Sequence, residues 1–208
     1  MSLTLSPGDL MTTTATRILE YAQQQPEGAV FGANELVECG ERAAVDQALV
    51  RLTLSGELTR VARGVYSLTV STRFGRRAPD AERLVHNYAR REALVVARHG
   101  AVEANRLGLS SQVPTRAVWL TSGPSTELHV GGLTIELKRA QRWLLIDPEG
   151  RAGATLRALA WLGADTSAEH FSSIRPMLSA AERQTILDAR GLMPSWMARS
   201  MTTAIGHG

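Results

Sequence analysis

The feature that most constrains the fold of this 208-residue sequence is a run between residues 31 and 68, where two helical segments precede a basic hairpin. Gly40 ends the first segment and permits a sharp turn. From Glu41 onward, apolar residues recur with the helical period and predict one buried stripe, namely Ala44, Val45, Ala48, Leu49 and Leu52. Gly56 is placed to end that helix, and Arg63-Gly64 to form the turn of the hairpin. The order predicts a winged helix-turn-helix.

Side chains that avoid the buried stripe are the candidates for contacting DNA. On the second helix they are Arg42, Ala43, Gln47 and, at the edge of the stripe, Arg51. In the hairpin, Arg60 and Arg63 stand where a wing meets the phosphate backbone. Residues 1–72 carry five arginines against eight acidic residues, so their net charge does not favour DNA binding. Only the positions of the basic side chains on the second helix and the wing do. The alternative is a small helical subdomain that docks a protein.

The pattern beyond the hairpin predicts two domains and an α+β fold class. Residues 1–72 form the expected DNA-binding domain, residues 73–78 a linker, and residues 79–208 a mixed α/β domain. The linker arginines Arg73, Arg76 and Arg77 are expected to contact DNA phosphates. Strands are predicted over residues 94–97, 115–121, 127–130 and 133–139, and helices over 79–93, 100–107, 154–162, 167–177, 179–190 and 194–204. The first helix of the second domain therefore opens at Pro79-Asp80.

One block of the chain is strongly basic. Residues 73–116 hold nine arginines against four acidic residues. Such a run is typical of a solvated helix face, and it also fits a second contact with DNA or with an acidic partner. In the C-terminal tail, Leu192, Trp196 and Met197 share one helix face, which we expect to be buried mainly within its own domain.

The residue types that carry enzymatic chemistry are scattered, so no enzyme activity, metal or cofactor is expected. Cys39 is the only cysteine, which excludes an internal disulfide and a multi-cysteine metal site. Glu136-Leu137-Lys138 matches the E-x-K step of some nucleases, but alternation on an antiparallel strand with one solvated face produces the same pattern. The sequence shows neither a signal peptide nor a membrane-spanning run, and the expected location is the cytoplasm.

Four segments together resemble the AbiEi family, the antitoxins of type IV toxin-antitoxin systems that cause abortive phage infection. They are the helix from Arg42 to Leu52, the wing from Arg60 to Tyr66, the strand and turn from Val118 to Ser125, and the tail from Leu192 to Met197. The resemblance is to the short two-domain branch of the family and covers essentially the whole chain in matching order.

This resemblance implies a winged helix that represses its own promoter by binding inverted repeats in double-stranded DNA. It also implies a C-terminal domain that counteracts a nucleotidyltransferase-like toxin, either directly or functionally. By position, Arg42, Ala43, Gln47 and Arg51 would lie on or beside the DNA-reading helix, and Arg60 and Arg63 in the wing. The family supplies no catalytic residues. The alternative function is a stand-alone transcriptional regulator whose second domain senses a ligand or dimerises.

Overall fold

The structure, a computed structural model, describes residues 13–205, with side chains described through Met201. The chain forms two compact units. The first contains the described residues up to Arg91 together with Leu128–Leu133, and the second contains Glu92–Glu127 and the chain from Thr134 onward. The division therefore follows Arg91 and does not coincide with the linker expected at residues 73–78.

The first unit begins with the elements of a winged helix. These are α1 (Thr14–Gln23), β1 (Val30–Phe31), a 3-10 helix (Ala33–Cys39), α2 (Arg42–Leu54), β2 (Leu58–Ala62) and β3 (Val65–Leu68). The strands form one sheet in the order β1-β3-β2, and both pairings are antiparallel. Two helical segments, a tight turn, a longer helix and a hairpin that closes on β1 are the winged helix-turn-helix expected from the sequence.

The helix α2 buries the stripe that the sequence predicts. Val45, Ala48, Leu49 and Leu52 are buried, whereas Ala44 is half-buried. They pack with residues of α1, β1 and the 3-10 helix, among them Ile18, Phe31 and Leu36. The helix ends where the Ser55 amide donates to the Arg51 carbonyl, and Gly56 follows with a φ of 73°. That left-handed conformation favours glycine, so the helix stop read from the sequence is confirmed.

Residues 73–78 are not an irregular linker. They belong mostly to a second hairpin, in which β4 (Val70–Thr72) pairs antiparallel with β5 (Gly75–Arg77). The helix α3 (Ala81–Arg91) follows and buries Leu84, Val85 and Ala89. It belongs to the first unit, because Gly28 of that unit lies so close that a Cβ there would come within 3.2 Å of the Leu84 nitrogen. The helix was expected to open the second domain, and that expectation is wrong.

A four-stranded sheet supplies the β-structure of the second half. Its elements are β6 (Val96–Arg98), α4 (Gly100–Arg106), β7 (Ala117–Thr121), β8 (Thr126–Val130) and β9 (Leu133–Arg139), and the strand order is β6-β7-β9-β8. The strand β7 pairs parallel to β9, with Trp119 opposite Leu137. Gly131 and Gly132 form the turn between β8 and β9, and Gly131 has a φ of 61°.

Four helices complete the second unit. They are α5 (Arg151–Leu162), α6 (Ala164–Ile174), α7 (Ala180–Asp188) and α8 (Ser195–Ile205), and α7 starts at a capping box formed by Ser179 and Glu182. Leu156, Phe171 and Met197 lie in their common core, and Trp196 packs against it half-buried. Leu192 is exposed, so the tail buries most, but not all, of its apolar face. The mixture of small sheets and helices confirms the α+β class.

Candidate nucleic-acid interface

The start of α2 and the tip of the wing meet at one short segment of the first unit. Arg42, the first residue of α2, donates through Nη1 to the Asn34 Oδ1 at 2.9 Å. The carbonyl oxygen of Gly64, at the wing tip, lies 2.8 Å from where a Cβ of Gly32 would stand. Residues 32–34 are thus adjacent to both elements. In a winged helix, these are the two elements that approach a DNA groove and its backbone.

Arg42 is already engaged in the free protein. Its Nε donates to the Asp46 Oδ2 at 3.0 Å, one helical turn along α2, and both side chains are more than half exposed. An exposed i,i+4 pair is weak, about 0.3–0.5 kcal/mol. A phosphate or a guanine edge can therefore replace Asp46 as the partner of Arg42 at little cost.

The outward face of α2 has an apolar centre with polar groups beside it. Ala43, Val50 and Leu54 lie opposite the buried stripe, and Val50 and Leu54 are 54% and 82% exposed. Gln47 lies beside them and Arg51 at the edge, both exposed. An amide can pair with both adenine groups in the major groove, and small apolar side chains suit the thymine methyl. The face is therefore chemically able to read bases, although an apolar centre equally suits a protein partner.

Wing residues predicted to meet phosphates are exposed as expected. Arg60 lies on β2 opposite Tyr66, and Arg63 stands at the turn beside Gly64, whose φ is 72°. The opposite face of the wing is buried at Val61 and Val65. The wing is thus fixed to the core, and its arginines project from a rigid support.

Arg91 is a residue of this end that the sequence analysis did not single out. The Glu35 carboxylate accepts from the Arg91 Nε at 3.0 Å, from its Nη2 at 3.2 Å and from the Gly32 amide at 3.0 Å. Burial raises the pKa of Glu35, but the hydrogen bonds from Arg91 and Gly32 outweigh it, so the pKa lies below its ordinary value of 4.5. In the sequence, the only indication of this role is that Arg90 and Arg91 end an amphipathic helix.

The structure does not bring Arg76 and Arg77 to this end of the unit. Arg76 pairs with Glu57 at 3.1 Å, and Arg77 pairs with Glu27 at 2.9 Å. Glu57 comes just after the C-terminal end of α2, and a helix of 13 residues is about 20 Å long. Because each arginine has a carboxylate partner, their first role is to hold the second hairpin, and Arg73 lies in the turn of that hairpin.

The position of the boundary changes the charge of the candidate DNA-binding unit. Extending the unit from residue 72 to Arg91 adds six arginines and two acidic residues, which moves the net charge of the segment from −3 to +1. The basic block of residues 73–116 is divided between the two units. The net negative charge of residues 1–72 therefore does not extend to the whole unit, which also includes the basic helix α3.

Among the described residues, no group of three or more His, Cys, Asp or Glu side chains could hold a metal ion. The E-x-K pair lies on β9, where the Lys138 Nζ is 3.5 Å from the Glu136 Oε2. Cys39 is buried. None of the helices within the described part of the chain has the length and apolar character needed to cross a membrane.

These elements define a winged-helix unit joined in sequence to a second α+β unit. The sequence matches, over residues 17–186, a family described as a family of unknown function (DUF6088), and the chain belongs to this family. It is similar in fold to the crystal structure of the RV2827C protein from Mycobacterium tuberculosis, with 15% sequence identity, a TM-score of 0.52, and coverage of 93% of this chain and 76% of that one. A search among curated proteins found no match.

Proposed function

We propose that the protein is an antitoxin of a type IV toxin-antitoxin system that represses its own promoter. The DNA-binding half of the proposal rests on one observation, which is that Arg42 at the start of α2 donates to Asn34 while the Gly64 carbonyl at the wing tip lies close to Gly32. Exposed Gln47, Arg51, Arg60 and Arg63 lie on these two elements. A helix that reads bases and a wing that holds phosphates need this arrangement.

The antitoxin half rests on the resemblance to the AbiEi family. Two of the segments that carry the resemblance fall in the second unit, one along β7 and its following turn and the other at the start of α8. Met197 of the second segment is buried, so part of that resemblance reflects packing. The second unit has its own core, which suits an activity separate from DNA binding. The proposed target is a nucleotidyltransferase-like toxin encoded beside this gene.

Binding to a fluorescent promoter fragment with inverted repeats tests the DNA-binding half. Arg42→Ala and Gln47→Ala should each reduce the preference for operator over scrambled DNA by about 1–3 kcal/mol, because a bidentate base contact is lost. Asp46→Asn should strengthen binding, because it removes a negative charge from the reading face and releases Arg42.

The matched control is Arg142→Ala, which removes an exposed arginine from the second unit. It should leave affinity and preference unchanged. If both Arg42→Ala and Gln47→Ala keep the wild-type preference, α2 is not the reading helix. Equal weakening by Arg142→Ala would show only a general effect of charge.

Co-expression of the full chain with the adjacent toxin gene, from a promoter unrelated to its own, tests the antitoxin half. Growth should be rescued by the wild type and also by Arg42→Ala/Arg63→Ala, although that variant no longer represses the native promoter. If the folded, well-expressed wild type does not rescue growth, the protein is not an antitoxin of that toxin.

A stand-alone regulator that responds to a small molecule is the second candidate. A pocket of about 390 Å³ favours it, and this pocket lies in the first unit and not in the second domain, where the sequence analysis placed the ligand sensing. Apolar Leu19, Phe31 and Leu68 line the pocket, together with charged Glu57 and Arg76, so a ligand there would touch the ion pair that holds the second hairpin. A ligand that raises the melting temperature and alters promoter affinity, with no effect of the adjacent toxin, would support this function instead.

A further inference from the structure

The second hairpin of the first unit presents an aromatic side chain at its tip. Every residue from Ser71 to Arg77 is exposed, and Phe74 is 86% exposed. The guanidinium carbon of Arg73 lies 4.7 Å from the centre of the Phe74 ring. The tip therefore presents an exposed aromatic ring and a cation side by side, a combination that can stack on or against a nucleic acid.

The hairpin is anchored at its base and closed at its tip. The Thr72 hydroxyl donates to the Gly75 carbonyl at 2.7 Å and accepts from the Phe74 amide at 3.2 Å. The ion pairs of Arg76 with Glu57 and of Arg77 with Glu27 fix the returning strand. These bonds hold Arg73 and Phe74 in a defined turn, so the ordering cost of engaging a partner is reduced.

The position of the hairpin suits a second point of contact on the same DNA. It is tied to Glu57, which follows the end of α2, whereas Arg42 and the wing tip lie at the start of that helix. The helix of 13 residues is about 20 Å long. Along B-DNA, half a helical turn is about 17 Å, which is the step from one groove to the next.

We propose that the β4–β5 hairpin enters the minor groove beside the major groove occupied by α2, with Phe74 against the sugars and base edges and Arg73 between the phosphates. This inference rests on the proposed DNA binding of the first unit. Minor-groove proteins combine arginine with apolar wedges in this way, because the narrow groove has a strong negative potential and apolar walls. Arg73 supplies the matching positive charge at the tip, whereas Arg76 and Arg77 are paired with Glu57 and Glu27 and hold the hairpin in place.

Affinity and hydroxyl-radical footprinting of the full-length protein on the promoter fragment test the proposal. The wild type should protect deoxyriboses about half a helical turn outside the site read by α2. Phe74→Ala should lose that protection and bind about 5- to 100-fold more weakly, in the range of one aromatic contact to a nucleic acid. Phe74→Trp should keep both, and Arg73→Ala should lower the salt slope by about one unit.

The matched control is Val113→Ala, which trims an apolar side chain of similar exposure in the second unit. This variant should keep the affinity and the footprint of the wild type. Phe74→Ala should still prefer operator over scrambled DNA, because α2, and not the hairpin, reads the operator bases. If the wild type binds the promoter while Phe74→Ala matches it in affinity and footprint, the hairpin proposal is wrong and DNA binding stands. If the wild type does not bind, both proposals fail.

Discussion

Arg157 in the second unit and Arg42 in the first each pair with a carboxylate, but in opposite surroundings. Arg157 is 1% exposed, and its Nη2 lies 3.4 Å from the Glu103 Oε1. It also donates to the carbonyl oxygens of Pro148 at 2.8 Å and Leu144 at 3.3 Å. Arg42 instead lies at the surface with Asp46. One arginine holds a loop inside the protein, and the other is available for exchange.

The difference shows how the same residue type serves structure or recognition. Burial lowers the pKa of the Arg157 guanidinium and Glu103 opposes that effect, so the partner stabilises a charge that is otherwise costly to bury. A buried charge without its partner is costly, whereas an exposed pair adds little to folding. Arg157 is therefore committed to one set of contacts. Arg42 can exchange Asp46 for a phosphate, and its proposed role is in DNA binding and not in folding.

The largest effect expected from this comparison is on folding. Arg157→Met should lower the free energy of unfolding by about 3–5 kcal/mol. It leaves the buried Glu103 carboxylate with only the ion pair to Arg106 at 3.5 Å, and it leaves several carbonyl groups of residues 144–148 without a donor. Urea denaturation followed by circular dichroism measures the loss. Arg157→Lys, which keeps a charge without the planar fork, should fall between the wild type and Arg157→Met.

A paired substitution separates the ion pair from the volume of the side chain. Glu103→Leu/Arg157→Met should recover part of the stability lost in Arg157→Met, because replacing both partners removes the unpaired buried charge. A double variant as unstable as Arg157→Met would place the loss in the carbonyl contacts instead of the pair.

Local patterns in the sequence predicted the winged helix well, because its elements are set by neighbours along the chain. The stripe from Val45 to Leu52 and the stop at Gly56 depend on residues within a few positions. Gly75 and its flanking arginines are equally typical of loops, so the sequence predicts a linker where the structure has the second hairpin. Its anchors, Glu57 and Glu27, are distant in sequence, so nothing local revealed it.

Long-range relations explain the other differences. The parallel pairing of β7 with β9 places β8 on the far side of β9, and no turn signal encodes that order. Arg157 stands in an alanine-rich helix, where a single arginine is ordinarily exposed. Its burial depends on its pair with Glu103 of α4. The helices α4 and α5 lie so close together that a Cβ at Gly100 would collide with the Arg157 carbonyl oxygen. The sequence predicts the exposure of the candidate residues on α2 and the wing, and it does not predict that Arg91 lies beside them.

An intermediate effect is expected for the half-exposed pair of Glu35 with Arg91. Glu35→Gln should lower the free energy of unfolding by about 0.5–1 kcal/mol at neutral pH, the upper range for pairs near the surface. Because the pKa of Glu35 is lowered in the folded protein, the pair stabilises fully above the ordinary value of 4.5, and its contribution disappears as the pH falls through the lowered pKa. The wild type and Glu35→Gln should therefore converge in acid.

Glu38→Gln is the matched control for that measurement, since it neutralises an exposed carboxylate of the same 3-10 helix. Its stability difference from the wild type should be smaller and should lack the convergence. A constant difference for Glu35→Gln from pH 7 to pH 3 would show that its amide perturbs packing and that the ion pair with Arg91 contributes nothing.

The smallest effect on folding is expected at Arg42. Arg42→Ala should change the free energy of unfolding by no more than about 0.5 kcal/mol, because the exposed pair with Asp46 is weak and alanine is a good helix former. The same variant should lose promoter discrimination. Substitution of Arg42 should therefore change DNA binding without changing stability, whereas substitution of Arg157 should change stability. Parallel urea denaturation and promoter binding measure the two quantities on one sample. A loss of 2 kcal/mol or more in stability, on the order of a buried contact, would mean that Arg42 is a structural arginine like Arg157 and that weaker DNA binding reports on folding.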